Sequence, residues 1–170
     1  MDITMADDIS AEYLGLVQGI LDNSEFKKLQ RYTQHYQTTR FMHSLNVSYI
    51  SWLLAKKFGM DASAAARAGL LHDFCVYDFR DKLPEGEIQA FYHPKVAAET
   101  SSEQFHISAK EHQAILSHMF PLGPMPRSRE AWIISFADKI CAITEFCRFR
   151  IALARRGRVA SVSYTHLRAH

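Results

Sequence analysis

No charge of one sign dominates this chain. Its 20 Lys and Arg against 18 Asp and Glu leave a formal net charge of +2, too weak a field to draw in a nucleic acid or a membrane surface by long-range attraction. A small-molecule partner is expected instead, with no nucleic acid and no membrane. The chain also lacks any run approaching ~18 uninterrupted apolar residues. Its acidic start, Met1-Asp2-Ile3-Thr4-Met5-Ala6-Asp7-Asp8, has no basic region leading into an apolar core, so neither a spanning helix nor a secretory signal is expected. Cysteine is scarce: Cys75, Cys141 and Cys147 are odd in number, stand in apolar surroundings and form no C-x-x-C pair. Buried thiols in a reducing compartment account for that usage, and the expected location is cytoplasmic. There is no G-x-S-x-G element and no Cys-His dyad, so no side-chain nucleophile stands out.

What the chain does have is apolar residue, 48% of its 170 positions, enough for one domain with a real core and short for two. The pattern is helical nearly throughout, and no convincing alternating strand appears, which predicts an all-α fold of about seven helices. Tyr13, Leu14, Leu16, Val17, Ile20 and Leu21 recur at helical spacing over about 10–21. Asp22-Asn23-Ser24 then stops that helix and caps a second over 24–32. A third runs from about Thr39 to Phe58 and ends at Gly59, suited to a left-handed cap. Asp61 caps a fourth whose Ala62, Ala64, Ala65, Ala66, Ala68 and Gly69 allow close helix approach. Residues 78–92 are polar and rich in breakers, the expected lid. His93-Pro94 opens a fifth helix, with proline in a first turn where its missing N–H does no harm. Ser108-Ala109-Lys110-Glu111 is a capping box for a helix reaching His118, ended by Met119-Phe120-Pro121. The last strong helix starts at Arg129 and carries Asp138.

The fourth helix drives Ala68-Gly69-Leu70-Leu71 straight into His72-Asp73. An unpaired buried carboxylate loses its hydration without return, so the doublet is either a hydrogen-bonded pair at a helix end or part of a metal site. Other inward polar residues bear on the choice. His43 lies on one helical line with Val47, Ile50 and Leu54, pointing to the core as a ligand or as a histidine satisfied by a backbone carbonyl. Asp138 has Ile134, Ser135, Cys141 and Ala142 as helical neighbours, so its carboxylate turns inward, toward a metal or toward Arg40 of another helix. His93, immediately before its helix, lies near exposed N–H groups where a substrate anion is also favoured, or is simply part of an ordinary helix start, and His118 sits at a helix C-terminus. His35, His106 and His112 are read as solvated or capping. Imidazole and carboxylate donors without thiolate select a first-row divalent ion such as Mn, Fe, Co, Ni or Zn.

The ordered pattern H…HD…H…H…D, from about Arg40 to Asp138, resembles the HD superfamily of metal-dependent phosphohydrolases, and within it the binuclear subgroup. The resemblance implies an HD-type metal-binding domain over 39–160, with residues 1–38 as N-terminal helices packed upon it. It implies that His43, His72, Asp73 and Asp138 hold one ion and that Asp73 bridges to a second held by His93 and His118. The reaction so implied is attack on a phosphoester of a nucleotide-like small molecule by a hydroxide positioned between the ions. Arg40, Lys95, Arg127 and Arg129 are candidates to bind substrate oxygens, with solvated arginines as the plainer alternative for the loop pair. The continuation Phe74-Cys75-Val76-Tyr77-Asp78 departs from the His-Asp-Ile-Gly-Lys of many relatives, so the lysine used by some of them is missing. The same ligand shell also resembles that of HD-type diiron oxygenases, and a module that binds metal without turnover is a further alternative. The final stretch Val162-Ser163-Tyr164-Thr165-His166-Leu167-Arg168-Ala169-His170 resembles a translated sequencing-library adapter, so 161–170 is expected to be foreign to the fold.

Overall fold

A computed structural model describes residues 3–35 and 38–146 of the chain. Seven α-helices build it: α1 Ile3–Leu21, α2 Ser24–Lys27, α3 Arg40–Lys57, α4 Ala62–Leu71, α5 Gln89–Phe105, α6 Ala109–Ser117 and α7 Arg129–Phe146. The all-α expectation holds. One small addition lies between α2 and α3, where a 3-10 turn (Lys28–Arg31) leads into strands β1 (Thr33–His35) and β2 (Thr38–Thr39), paired antiparallel with a register irregularity. β-Branched threonines at Thr33, Thr38 and Thr39 favour extended backbone there. The helix expected over 24–32 is therefore a single α-turn continued as 3-10, and α1 begins earlier than residue 10. The adapter-like residues 161–170 and Cys147 lie outside the described residues.

Local chemistry explains the helix limits. Asn23 Oδ1 accepts from Glu25 and Phe26 N–H at 2.9 and 3.0 Å, capping α2. At the end of α3, Gly59 takes φ +61°, and Gly59 and Met60 N–H donate to Lys56 and Ala55 carbonyls at 3.3 and 2.8 Å, the paired bonds of a glycine-terminated helix. Asp61 Oδ1 accepts from Ala64 N–H at 2.9 Å and starts α4. The capping box of α6 is present, with Ser108 N–H donating to Glu111 Oε2 at 2.6 Å and Glu111 N–H to Ser108 Oγ at 3.2 Å.

α5 departs from expectation. It begins at Gln89, a full turn before His93, so Pro94 lies inside the helix. Its missing N–H removes one bond to a carbonyl four residues earlier. His93 is consequently an inward side chain within α5, not a residue at exposed helix-start N–H groups.

α3 and α4 form the centre of the molecule. Gly69 makes their contact possible, since a Cβ built on it would lie 3.0 Å from Ser48 Cα and 3.3 Å from Ser51 Oγ. Around this pair the core gathers Tyr13, Val17, Phe26 and Leu29 from the N-terminal elements, Leu45 and Trp52 from α3, Leu70 and Leu71 from α4, Ile115 from α6 and Ile134 from α7. Tyr13 donates to Ser48 Oγ at 2.7 Å and Ser48 to the Ala66 carbonyl at 2.6 Å, tying α1, α3 and α4 together. Among the described residues no helix is long and apolar enough to cross a membrane.

Candidate metal centre

The apolar run of α4 buries its C-terminal end, and with it His72 and Asp73, which are 0% and 2% exposed. His43 (α3), His93 (α5) and His118 (the cap of α6) are also buried, and the Asp138 side chain on α7 is 13% exposed. Five elements thus bring six side chains to one point. His43, His72 and Asp73 form one group with donor atoms within 4.8 Å of one another. A second is His72, His118 and Asp138, and a third is Asp73, His93 and His118.

Asp73 stands between the two sides. Its Oδ2 lies 3.4 Å from His72 Nε2, while Oδ1 lies 3.4 Å from His93 Nε2 and 3.5 Å from His118 Nε2. On the other side His43 Nε2 meets Asp138 Oδ1 at 3.0 Å, and His72 Nε2 is 3.6 Å from the same oxygen. The rings are oriented from behind: Nδ1 of His72, His93 and His118 donates to the carbonyls of Gly69, Gln89 and Ile115 at 2.8, 2.6 and 2.7 Å. That bond sets the tautomer and leaves Nε2 facing inward with its lone pair.

A divalent cation fits these donors. Buried His72 Nε2 and Asp73 Oδ1 have no hydrogen-bond partner, a costly situation for polar atoms removed from water. His93 Nε2 and His118 Nε2 face each other at 3.0 Å, two lone pairs that a cation reconciles. Bonds of about 2.1 Å to one ion put neighbouring donors roughly 3.0–3.4 Å apart, close to the 3.0 Å of His43 Nε2 to Asp138 and the 3.4 Å of His72 and His93 Nε2 to Asp73. The histidines divide electrostatically: against burial, Asp73 and Asp138 raise His72 well above its ordinary value. Burial and the proximity of His72 and His93 push His118 down to about 3, which keeps its ring neutral. Asp73 is held well below the usual carboxylate range, burial being outweighed by His72, and Asp138 likewise by His43. Burial opposes charge on His43, but its hydrogen bonds to Asp138 and Glu145 prevail and raise it to about 9.

Of the residues expected to bind substrate, Arg40 has structural partners. It is fully buried, its Nη1 donates to the Cys75 and Tyr77 carbonyls at 2.6 and 2.8 Å, and its Nε donates to Gln34 Oε1 at 2.9 Å. Its guanidinium also lies 3.6 Å from the Phe79 ring centroid. Arg40 therefore pins the loop that follows His72-Asp73 through Nε and Nη1, while its buried Nη2 has no hydrogen-bond partner, and it makes no bridge to Asp138. Arg129 likewise turns away, its Nη2 donating to the Phe58 carbonyl at the far end of α3 at 3.2 Å. Arg127 is exposed with its backbone N–H on Gln113 Oε1. Lys95 is exposed and 3.6 Å from Glu87. Of the four, Arg40 reaches the centre through Gln34, which bonds Asp73 in turn. His106 caps α5 in a left-handed conformation, φ 47°, as a capping histidine should.

Two residues beside the centre have no expectation attached to them. Gln34 on β1 donates from Nε2 to Asp73 Oδ2 at 2.5 Å, and nothing local signals this, since the partner is 39 positions away. Glu145 accepts at His43 Nδ1, 2.9 Å. It follows Asp138 by seven positions on α7, two turns along the same face, and that spacing is the signal that could have found it.

The HD domain family model matches residues 40–143. Among curated relatives, Ribonuclease Y of Clostridium tetani (strain Massachusetts / E88) is 34% identical over 113 residues, which is 66% of this chain and 20% of that protein. Ribonuclease Y of Thermoanaerobacter pseudethanolicus (strain ATCC 33223 / 39E) is 33% identical over 100 residues, 59% of this chain and 18% of that protein. The chain thus spans about a fifth of the length of these relatives. No solved structure matches. The segment matched by the family model opens at the first residue of α3 and closes inside α7, enclosing all six converging side chains, and the chain therefore belongs to the HD domain family.

Proposed function

We propose that the chain is a metal-dependent phosphohydrolase, with His43, His72, Asp73 and Asp138 around one divalent transition-metal ion and His93 and His118 sharing Asp73 with a second. The observation that carries this reading is the two-sided placement of Asp73, one oxygen toward His72 and the other, without a hydrogen-bond partner, toward His93 and His118. Two such ions, of Mn, Fe, Co, Ni or Zn, would supply a water acidic enough to ionise near neutral pH and would neutralise phosphoester oxygens during in-line displacement. The protein's own contribution is orientation. Three backbone carbonyls and Glu145 fix the four imidazoles, Arg40 fixes the loop behind Asp73, and Gln34 holds Asp73 Oδ2.

The substrate reading has two branches. A nucleotide-like small molecule suits the weak net charge. The likeness to Ribonuclease Y over the matched segment supports a phosphodiester of RNA as the second, which sits uneasily with the expectation that nucleic acid plays no part. A metal-reconstituted screen over nucleoside monophosphates, cyclic dinucleotides, dinucleoside polyphosphates and short RNA, with oxygen consumption followed in parallel, decides between them. Cleavage of one phosphoester class without oxygen uptake is the expected result. Oxygen uptake without ester cleavage would establish the oxygenase alternative, and full metal occupancy without turnover on any of these would establish a binding module.

A further inference from the structure

His43 is anchored differently from the other three histidines. The Nδ1 bonds of His72, His93 and His118 all end on carbonyls of the chain three or four positions earlier, which no side-chain substitution removes. His43 Nδ1 instead meets a carboxylate, Glu145 Oε2 at 2.9 Å, and the other Glu145 oxygen accepts from Asn46 Nδ2 at 3.3 Å. Glu145 is brought there by α7, two turns beyond Asp138, and Asn46 by α3, one turn beyond His43. The same two helices therefore clamp one imidazole at both nitrogens, with Asp138 Oδ1 3.0 Å from Nε2. The Glu145 side chain is 8% exposed, so water screens this contact little.

We infer that Glu145 is a positioning residue for His43 and that it makes the two sides of the centre unequal, the ion on the His43 side being held the more tightly. This rests on the binuclear reading given above. A carbonyl behind an imidazole fixes its tautomer, whereas a carboxylate fixes it and also adds electron density to the ring, which strengthens the inward nitrogen as a ligand. Only the His43 side has that reinforcement, and it also holds two carboxylates, Asp138 and a share of Asp73, against the single shared Asp73 of the His93 and His118 side. Loading is then ordered, first at His43 and afterwards at His93.

The test titrates the metal-free full chain with Co(II), reading affinity and stoichiometry by chelator competition and the ligand-field spectrum, without reference to turnover. Wild type should take up two ions in separable steps, and His93→Ala should lose the weaker one only. In Glu145→Gln the tighter step should weaken by about 10- to 100-fold while the weaker step stays in place. Asn46→Ala, which leaves the carboxylate but frees one of its oxygens, should show a smaller loss at the same step, and Glu145→Asp should recover part of it. A folded Glu145→Gln protein with both steps unchanged overturns the inference while leaving the binuclear reading intact. If Glu145→Gln does not fold, an unchanged tighter step in Asn46→Ala overturns it equally. Failure of the wild-type protein to bind any ion removes the binuclear reading itself.

Discussion

At the scale of single residues, the centre separates donors from the groups that hold them. Of the six inward histidines and aspartates, His43 and Asp138 are legible as polar residues on apolar helical lines and His72-Asp73 by the apolar run before them, whereas His93 and His118 are legible only through the ordered pattern. Arg40 is not, since a charged residue at a helix start reads as exposed or as an anion clamp. Its actual partners, the carbonyls of Cys75 and Tyr77 and the amide of Gln34, come from the turn after α4 and from β1, which no periodicity in α3 announces. Arg40→Met should therefore cost stability. Three acceptors lose a charged donor, and each buried one is worth about 1–3 kcal/mol, so urea unfolding should show a loss of roughly 3 kcal/mol or more, with Lys rescuing it poorly because an ammonium lacks the planar fork. A loss below about 0.5 kcal/mol would mean that the loop behind Asp73 is held by something else.

At the scale of elements, caps and close approaches decide where the candidate ligands point. Asp61 starts α4, whose other end delivers His72 and Asp73. Its carboxyl is held below the ordinary range chiefly by the Ala64 N–H, so its contribution is fully present above the unfolded value of about 3.9 and is lost as pH falls through the lower folded value. Asp61→Ala should cost about 1 kcal/mol at pH 7, and the gap to wild type should narrow below about pH 4, whereas Asp61→Asn, a neutral acceptor, should keep most of the cap at both. Gly69 tests the packing of α3 on α4. Alanine there gains up to about 1 kcal/mol of helix propensity, but its Cβ would press on Ser48 backbone at 3.0 Å. A net loss of about 1–2 kcal/mol is expected in Gly69→Ala and a larger one in Gly69→Val, read from chemical denaturation. Helix number, the Asp61 and Ser108 caps and the Gly59 stop were all readable from local signals. The start of α5 was not, because Pro94 marks a helix start more often than an interior, and the short β1–β2 pair was not, because strands of three and two residues are too short to show alternation.

At the scale of the whole molecule, the centre is a junction of α3, α4, α5, α6 and α7, so holding an ion there also holds the fold. Binding that the unfolded chain cannot match stabilises the folded state in proportion to the logarithm of free ion over Kd, about 2.7 kcal/mol at a hundredfold excess. The unfolding temperature should accordingly rise on addition of Mn, Fe, Co, Ni or Zn and fall back with a chelator, and Mg or Ca should do much less, since imidazole donors suit the former ions. The central claim, that six residues from five elements surround two ions joined by Asp73, is tested most directly by elemental analysis of the full chain after loading and removal of free metal, beside the Asp73→Ala variant. Two ions per chain in the wild type and at most one in Asp73→Ala is the predicted result. A wild type that retains none of these metals, or an Asp73→Ala that retains two, would contradict it.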